Sequence, residues 1–350
     1  DWSFPGGIPE TTFNPSWETR FLGRVFDESS LATFLDPIAN QSMLKTAPQL
    51  EKIEVPALIC ATWSDQGLHS RGSFQAFMRI SSKDKWLYTH GRRKWEEYYS
   101  DEGLKYQKKF YDYFLKGIEN GMMDTPRVRL EIRETIDDYK VRYENEWPIA
   151  RTEYKRLYLD PVKHTLNCHE VRQKGEINYD SADGRAVFDI RFDKDTELSG
   201  YIKLKLWVCA KEADDMDLFV GVEKLDADGN EVHFYAANGY VGGMVSRGWL
   251  RVSQRELDKK MSTPWQPVLK HRGEQKVKPG EIVPVEIPIL PSSTLFRKGE
   301  TLGLVIQGKD MVGHPRITYT RLVNKGVHSI YTGGEYDSHL LIPVIPPKSQ

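Results

Sequence analysis

Residues 55–91, VPALICATWSDQGLHSRGSFQAFMRISSKDKWLYTHG, decide the fold of the first part of the chain. Residues 55–63 form a short, continuously apolar run, which is typical of a strand buried on both faces of a parallel sheet. Residues 85–91 form a second short apolar strand, and the segment SRGSFQAFMRI between the two has its apolar side chains on one helical face. This alternation of strand and helix predicts an α/β layered sheet.

A longer amphipathic helix is predicted downstream, from Asp101 to Leu115. Its candidate core residues are Leu104, Phe110, Tyr111 and Phe114. Upstream, residues 17–50 carry apolar side chains at three- and four-residue steps, which indicates helices interrupted by Pro37 and Pro48.

From about residue 125 onward the pattern changes to short strands. In YIKLKLWV, residues 201–208, apolar side chains alternate with lysines, which is typical of a strand with one buried face. Nine such strands, with turns such as that at residues 228–229, predict a β-sandwich or jelly roll. One segment, SQRELDKKM at residues 253–261, has a spacing that allows a helix.

Length, composition and charge exclude several classes of protein. The 350 residues are comfortable for two domains, and 39% hydrophobic with 28% charged residues is a globular composition. A formal net charge of −1 gives no electrostatic reason to expect a nucleic-acid or membrane partner. No apolar run approaches the roughly 20 residues of a membrane helix, and the opening residues do not resemble a signal peptide.

The cysteines bear on the cellular compartment. Cys60, Cys168 and Cys209 are odd in number and widely spaced, so we interpret them as free thiols and expect a cytoplasmic protein. A secreted protein whose signal has been removed is the alternative.

Two residues stand at the carboxyl ends of the predicted parallel strands, where functional groups cluster in open α/β sheets. Asp65 lies in WSDQG, and His90 lies in YTHG, 25 residues further on. In a catalytic triad of the α/β-hydrolase order, such a histidine moves the proton of a serine, and the acid holds the imidazole in position. The structural alternative is a turn-forming aspartate and a histidine that merely ends a strand.

A nucleophile is not recognisable in the chain. There is no G-x-S-x-G motif; the nearest approaches are Ser73, inside a predicted helix, and Ser246, among the later strands. Both lack the flanking glycines that a strained nucleophile elbow requires.

Other motifs are weaker. DADGN, residues 226–230, resembles a calcium loop but departs from it at later positions, and is interpreted as a hairpin turn. His164 and His169 flank Cys168 without a second ligand cluster at zinc spacing, and the basic run HGRRKW at residues 90–95 is followed by acidic residues and is interpreted as a solvated loop. The sequence therefore predicts no cofactor and no metal.

Three apolar side chains are candidates for a substrate pocket because they lie close to the candidate acid and histidine. They are Trp63, Leu68 and Trp95. Core packing is the alternative for the tryptophans.

Six stretches carry a resemblance to a known family. They are VPALICATWSDQGLHSRGSFQAF and KWLYTHGRRKWEEYYS in the first part, and VSRGWLRVSQRELD, STPWQPV, VKPGEIVPVEI and FRKGETLGLVI in the second. With them the chain resembles the cocaine-esterase-like (CocE/NonD) hydrolases, a group that includes X-Pro dipeptidyl-peptidases. The resemblance implies that residues 1–50 are the end of a helical cap and residues 51–124 the C-terminal part of an α/β-hydrolase domain. It implies a β-sandwich jelly roll of the galactose-binding-like type for residues 125–350.

The resemblance also assigns roles. Asp65 matches the triad acid and His90 the triad histidine, whereas the serine and the oxyanion-hole groups have no counterpart here and lie N-terminal to Asp1 in family members. We therefore expect the serine to come from an N-terminal hydrolase segment or another chain. This chain alone is expected to be inactive, since loss of the nucleophile costs on the order of a millionfold in turnover.

The sequence thus predicts a serine hydrolase of ester or amide bonds, X-Pro dipeptidyl bonds included, that acts on a small molecule or a short peptide. A homo-oligomer is also open. The alternative is a non-catalytic remnant, or a module that binds carbohydrate or protein through the jelly roll. A metal-dependent hydrolase with Asp65 and His90 as ligands is a third, weaker hypothesis.

Overall fold

The computed structural model describes residues 4–13 and 48–347. These residues form mostly β-sheet, with few helices. The α-helices are α1 (Ser70–Arg79), α2 (Lys94–Tyr98) and α3 (Asp101–Lys116), and short 3-10 turns occupy Pro5–Gly7, Leu50–Lys52, Ala237–Gly239 and Val252–Gln254. Residues 17–47, which hold most of the predicted helices of residues 17–50 and most of the predicted cap, lie outside the described residues.

The strands of the described part follow in chain order. They are β1 (Ala57–Thr62), β2 (Lys85–His90), β3 (Val128–Arg133), β4 (Tyr139–Glu144), β5 (Glu153–Leu159), β6 (Leu166–Asn167), β7 (Gly175–Asp180), β8 (Arg185–Arg191), β9 (Thr196–Ala210), β10 (Asp217–Leu225), β11 (Phe234–Tyr235), β12 (Val241–Gly243), β13 (Ser246–Arg251), β14 (Val283–Phe296), β15 (Thr301–Gln307), β16 (Val327–Thr332) and β17 (His339–Ile345).

The first two strands and their connecting helix lie where the sequence predicts them. Strands β1 and β2 pair in parallel, in a register that sets Thr62 opposite His90. Helix α1 connects them, which makes a strand–helix–strand unit with a parallel sheet. Strand β3 pairs in parallel with β2, and β4 pairs antiparallel with β3, so the sheet continues across the predicted domain boundary near residue 125.

The later strands form an extensive, mostly antiparallel network. Its longest path runs β6–β5–β17–β9–β14–β13–β10–β15–β8. Strand β9 is central, since it pairs with β14, β17 and β16, and β3 joins the network through a single register position in which Arg133 faces Thr294. Strands β11 and β12 form a separate small sheet.

Burial on β9 follows the predicted alternation. Leu204 and Leu206 are fully buried, whereas Lys203 and Lys205, on the other face, form ion pairs with Glu286 on β14 and with Asp337. The buried face joins a large apolar core shared by the later strands. A second core lies under the parallel strands, where the rings of Trp63 and Phe74 stack with centroids 4.8 Å apart; these two residues are buried with others from both parts of the chain.

The predicted bounds of helix α3 are confirmed, but only two of its four predicted core residues pack in the core. Ser100 caps the first turn by accepting a hydrogen bond from the backbone N–H of Gly103 at 3.0 Å. Phe110 is buried against Trp86, and Phe114 packs beside it. The prediction that Leu104 and Tyr111 belong to the core is wrong, since they are 45% and 50% exposed. The two lie seven residues apart, on one face of the helix, and about half of each side chain is open to solvent.

Two local predictions for the later strands have different outcomes. Residues 226–230 form the predicted turn, in which the Asp226 carboxylate accepts hydrogen bonds from the backbone N–H groups of Asp228 and Asn230 and Gly229 has a φ of 90°. The hypothesis that residues 253–261 form a helix is wrong. That segment contains the end of the 3-10 turn Val252–Gln254, an isolated bridge between Leu257 and Leu269, and a turn in which the Asp258 carboxylate accepts hydrogen bonds from two backbone N–H groups.

The opening segment, residues 4–13, packs on the later strands. Ile8 is fully buried in a cluster with Trp249. Gly6 adopts a φ of +61°, and a Cβ there would lie 2.0 Å from the carbonyl oxygen of Trp249, so only glycine fits. The carboxylate of Glu10 accepts hydrogen bonds from the backbone N–H groups of Thr12 and Thr318.

No helix among the described residues has the length and apolarity that crossing a lipid bilayer requires.

A buried histidine makes the stability of the fold sensitive to acid. His328 on β16 is fully buried; its Nδ1 lies 3.3 Å from the hydroxyl of Tyr179, and no described residue bonds its Nε2. Burial lowers the pKa of His328 to about 4 from its ordinary 6.5. Between pH 6.5 and pH 4, His328 is protonated in the unfolded chain and neutral in the folded chain. The free energy of unfolding is therefore highest above pH 6.5 and falls as the pH drops toward 4.

We therefore expect His328→Leu to flatten the acid dependence of stability. The free energy of unfolding that is lost between pH 7 and pH 4.5 should shrink by roughly 2–3 kcal/mol, measured by urea unfolding at the two pH values. His233→Asn, at an exposed histidine, is the control. Equal losses in His328→Leu and the parent protein would contradict the prediction.

Candidate active site

Asp65 follows β1 and His90 ends β2, and both lie at the same edge of the sheet because the two strands are parallel and in register. The two loops are tied together directly after the strands: the backbone N–H of Trp63 donates to the carbonyl of His90 at 2.8 Å. One residue further on, the Ser64 hydroxyl donates to the carbonyl of Arg92 at 3.0 Å. The carboxyl ends of both strands therefore present their loops to the same edge of the sheet.

Both side chains line a cavity of about 430 Å³. Other polar residues on its wall are His69, Ser73, Tyr88, Lys94 and Glu97. Helices α2 and α3 contribute an aromatic portion of the wall through Trp95 and Tyr106. A concave, partly apolar site with a few polar groups is the usual form of a small-molecule site.

The carboxylate of Asp65 is buried and only half satisfied. Its Oδ2 receives a hydrogen bond from Lys94 Nζ at 3.1 Å, and His69 Nε2 lies 3.7 Å from the same oxygen. Its Oδ1 is buried with no hydrogen-bond partner among the described residues. Burying a carboxylate oxygen without a hydrogen-bond partner costs free energy, so a hydrogen-bond donor next to Oδ1 would stabilise the site.

His90 has the complementary character. Its side chain is buried, and Nδ1 has no hydrogen-bond partner among the described residues. Burial lowers the pKa of His90 to about 4; the negative charge of Glu97 opposes this shift, and the positive charges of Arg92 and Arg129 add to it. The imidazole is therefore neutral at pH 7 and can accept a proton, as a general base must.

A network of buried charges supports the loop after His90. Glu97 accepts hydrogen bonds from the Tyr88 hydroxyl and from Arg92 Nε, the latter at 2.7 Å. Arg92 also pairs with Glu131 at 2.9 Å, and Glu131 accepts a hydrogen bond from the backbone N–H of Gly91 at 2.6 Å. Burial alone raises the pKa of Glu97, but the hydrogen bonds from Tyr88 and Arg92 outweigh it and lower that pKa.

The three residues predicted for the pocket wall lie in different surroundings. Trp95 lines the cavity. Trp63, expected on the wall, is instead fully buried between Phe74 and Trp147, because its ring points under the sheet and donates a hydrogen bond through Nε1 to the carbonyl of Glu131. Leu68 packs against a cluster of later-strand residues and is not part of the cavity wall.

The two serines that come nearest to a nucleophile motif have local structural bonds. Ser73 lies on α1 at the cavity wall, and its hydroxyl donates to the carbonyl of His69 at 3.3 Å. Ser246 is fully buried, and its hydroxyl donates to the carbonyl of Leu290 at 2.5 Å. No described serine has a hydrogen bond to His90.

Sequence reasoning missed Lys94 and Glu97. Both come from the segment just after His90, the first within the basic run interpreted as a solvated loop. The run begins the short helix α2, which turns Glu97 inward to the cavity and Lys94 toward Asp65. A signal was present, since Glu97 is an acid placed between aromatic residues, but spacing alone does not separate it from an exposed charge.

The remaining weak motifs are structural in their surroundings. The ring of His164 stacks on Phe188, and both Cys168 and His169 are exposed. Within residues 4–13 and 48–347, no group of three or more histidine, cysteine, aspartate or glutamate side chains is arranged to hold a metal ion.

Comparison with known proteins identifies relatives of the whole described chain. The model of the X-Pro dipeptidyl-peptidase C-terminal non-catalytic domain matches residues 120–341. Two crystal structures of a CocE/NonD family hydrolase from Staphylococcus aureus are 44% identical to this chain, with TM-scores of 0.95. They cover 98% of this chain, which spans only 64% and 65% of theirs, less than two thirds of that relative's length.

More distant structures share the fold. An aminopeptidase from a marine sediment archaeon, Thaumarchaeota archaeon, is 14% identical with a TM-score of 0.67, over 96% of this chain and 63% of its own. An α-amino acid ester hydrolase is 15% identical with a TM-score of 0.62, over 94% of this chain and 60% of its own. No curated protein sequence matches the chain.

The depressed pKa of His90 can be measured directly. In an NMR titration of the ring signals, assigned by their loss in His90→Gln, we expect the neutral form to persist to about pH 4. Free N-acetylhistidine in the same buffer is the reference. Protonation of His90 near pH 6.5 would contradict the desolvated site described above.

Proposed function

The chain belongs to the CocE/NonD-like hydrolase family and carries its X-Pro dipeptidyl-peptidase C-terminal non-catalytic domain, and we propose that it supplies the acid and the histidine of a serine hydrolase. The observation that supports this proposal is the arrangement of Asp65 and His90 in the candidate site. Asp65 and His90 are nearly fully buried on one cavity wall, and Oδ1 of the first and Nδ1 of the second both lack partners among the described residues. Those are the two atoms that a triad joins.

In the proposed mechanism, neutral His90 removes the proton of a serine hydroxyl as the serine attacks the carbonyl carbon of an ester or amide. His90 then delivers the proton to the leaving alcohol or amine, and a water molecule repeats the sequence on the acyl-enzyme. Asp65 accepts a hydrogen bond from the Nδ1–H of His90 through Oδ1, which holds the imidazole in position and stabilises the imidazolium. Lys94 holds Oδ2 of the same carboxylate and leaves Oδ1 free.

The serine is proposed to belong to a hydrolase segment that docks on the open side of β1. Within the described residues β1 pairs only with β2, and its other edge has no partner strand. Val55, two residues before β1 in the chain, is 67% exposed, and Leu115 on α3 is 76% exposed. An unpaired parallel edge with apolar surroundings is unstable in water, which supports a further strand and helix layer here.

The finer architecture is also a proposal. We propose that residues 51–124 are the C-terminal part of an α/β-hydrolase domain, and that residues 125–350 are a jelly roll of the galactose-binding-like type. Support comes from the parallel pairing of β1 and β2 and from the large apolar core that the antiparallel strands share. The cap assignment of residues 1–50 is kept as a proposal, since most of it lies outside the described residues.

A reducing compartment is proposed for the protein. Cys60, Cys168 and Cys209 are all free thiols, and two of them are exposed. Exposed thiols that stay unpaired are typical of cytoplasmic proteins, so we keep the cytoplasm as the proposed location.

The triad proposal is tested on the full-length natural protein with a fluorophosphonate probe and an ester substrate. We expect covalent labelling of a serine outside this chain. Asp65→Asn should lower kcat by roughly 10⁴-fold, because the imidazole is misoriented, and His90→Gln by roughly 10⁶-fold, because the imidazole is absent. His233→Gln, at an exposed residue of the later strands, is the matched control and should leave kcat unchanged.

Two outcomes would overturn this proposal. Absence of labelling in the intact protein would favour the non-catalytic remnant or the carbohydrate- or protein-binding module. Loss of labelling in Ser73→Ala would move the nucleophile onto α1, within this chain.

The docking proposal predicts that the 350-residue chain associates when it is expressed alone. Val55→Lys combined with Leu115→Lys should reduce association in light scattering, because charges disfavour burial of this surface. Val162→Lys is the matched control, since Val162 is 65% exposed but lies far along the chain in the later strands. A monodisperse monomer of the unmodified chain would count against the docked segment.

A further inference from the structure

One backbone carbonyl next to the later strands accepts hydrogen bonds from two side chains near the candidate site, Gln66 and Arg133. The carbonyl of Val245, just before β13, accepts a hydrogen bond from Gln66 Nε2 at 3.1 Å and another from Arg133 Nη2 at 3.0 Å. All three residues are buried. The Val245 carbonyl is thus bonded both by Gln66, in the turn that carries the candidate acid, and by Arg133 at the end of β3.

The first of these side chains, Gln66, directly follows Asp65. Its Nε2 also donates to the carbonyl of Trp63 at 3.1 Å, so the Gln66 amide ties both sides of Asp65 to the Val245 carbonyl. The main chain of the turn is closed by hydrogen bonds from the N–H groups of Leu68 and His69 to the Asp65 carbonyl, both at 3.2 Å.

Arg247, two residues after Val245, holds the same turn. Its Nε donates to Gln66 Oε1 at 3.4 Å, and its Nη2 donates to the Gln66 carbonyl oxygen at 3.3 Å. Asp310 accepts a hydrogen bond from Nη1 at 3.1 Å, and the guanidinium lies over the Trp249 ring at 5.0 Å. A planar guanidinium fixed on several sides is a rigid support for whatever it bonds.

The second side chain on the Val245 carbonyl, Arg133, packs against the loop that carries His90. A Cβ at Gly91, the residue after His90, would lie 2.4 Å from Arg133 Cδ, so the arginine stem is in direct contact with that backbone. The hydroxyl of Ser292 accepts a hydrogen bond from Arg133 Nη2 at 2.8 Å, which fixes Arg133 to β14.

We propose that Arg247 is a positioning residue for Asp65, acting through Gln66, so that the domain described as non-catalytic in its family takes part in ordering the active site. The inference deepens the proposed function and rests on it. Arg247 contacts neither Asp65 nor His90; it holds the turn that carries the acid. A misplacement of about 1 Å at a reacting group costs on the order of 100-fold in rate.

The test uses two arginines of the same strand in the full-length protein. Arg251 is buried like Arg247 and forms an ion pair with Asp217 at 2.7 Å, but its partners, Asp217 and the Arg321 carbonyl, belong to the later strands. Arg247→Met and Arg251→Met should both lower the unfolding temperature. Only Arg247→Met should lower kcat, by roughly 10- to 100-fold with little change in KM. Arg247→Lys should not restore kcat, because one ammonium cannot bond both Gln66 oxygens and Asp310 in the guanidinium geometry.

A second measurement keeps the inference separate from the hydrolase proposal. Hydrogen exchange of the Leu68 and His69 amides should accelerate at least tenfold in Arg247→Met and stay unchanged in Arg251→Met. Equal exchange in the two variants would overturn the positioning role whatever the activity. Faster exchange confined to Arg247→Met, in a protein whose parent hydrolyses neither esters nor amides and takes up no fluorophosphonate, would refute the hydrolase proposal and leave the ordering of the turn by Arg247 established.

Discussion

The parallel pairing of β1 with β2 is the constraint on which the candidate site depends. Six consecutive residue pairs, from Ala57 opposite Lys85 to Thr62 opposite His90, fix the register. A slip of one residue would turn every side chain of a strand to the other face, so the register also decides which residues leave the sheet at its carboxyl edge. With this register, the backbone N–H of Trp63, directly after β1, bonds the carbonyl of His90 at the end of β2.

Around this pairing the protein buries an unusual amount of charge. Glu97, Glu131, Arg129 and Arg133 are all nearly inaccessible, and Nε and Nη1 of Arg133 have no hydrogen-bond partner among the described residues. Buried ion pairs contribute little net stability because desolvation offsets their attraction. A polar network of this kind is better explained by the fixed geometry it imposes on the loop from Gly91 to Glu97 than by stability.

Strand pairing and hydrogen bonds connect the candidate site to the later strands. Strand β3 pairs with β2 near its start and with β14 at Arg133, while Gln66 and Arg133 converge on the carbonyl of Val245. A boundary drawn near residue 125 therefore separates two sequence patterns more sharply than it separates two bodies. The opening residues strengthen the same connection, since Ile8 is buried beside Trp249.

The sequence by itself determined strands β1, β2 and β9, helix α3 and two candidate residues. Continuous apolar runs specify β1 and β2, strict alternation specifies β9, and the strand ends locate Asp65 and His90, because these patterns reflect local burial. Only the tertiary structure decided that Trp63 packs in the core, that Leu104 and Tyr111 face outward, and that Lys94, Glu97 and Arg247 support the site. Those outcomes depend on which face of an element meets another element distant in sequence, and on hydrogen bonds between loops, for which a periodicity carries no information.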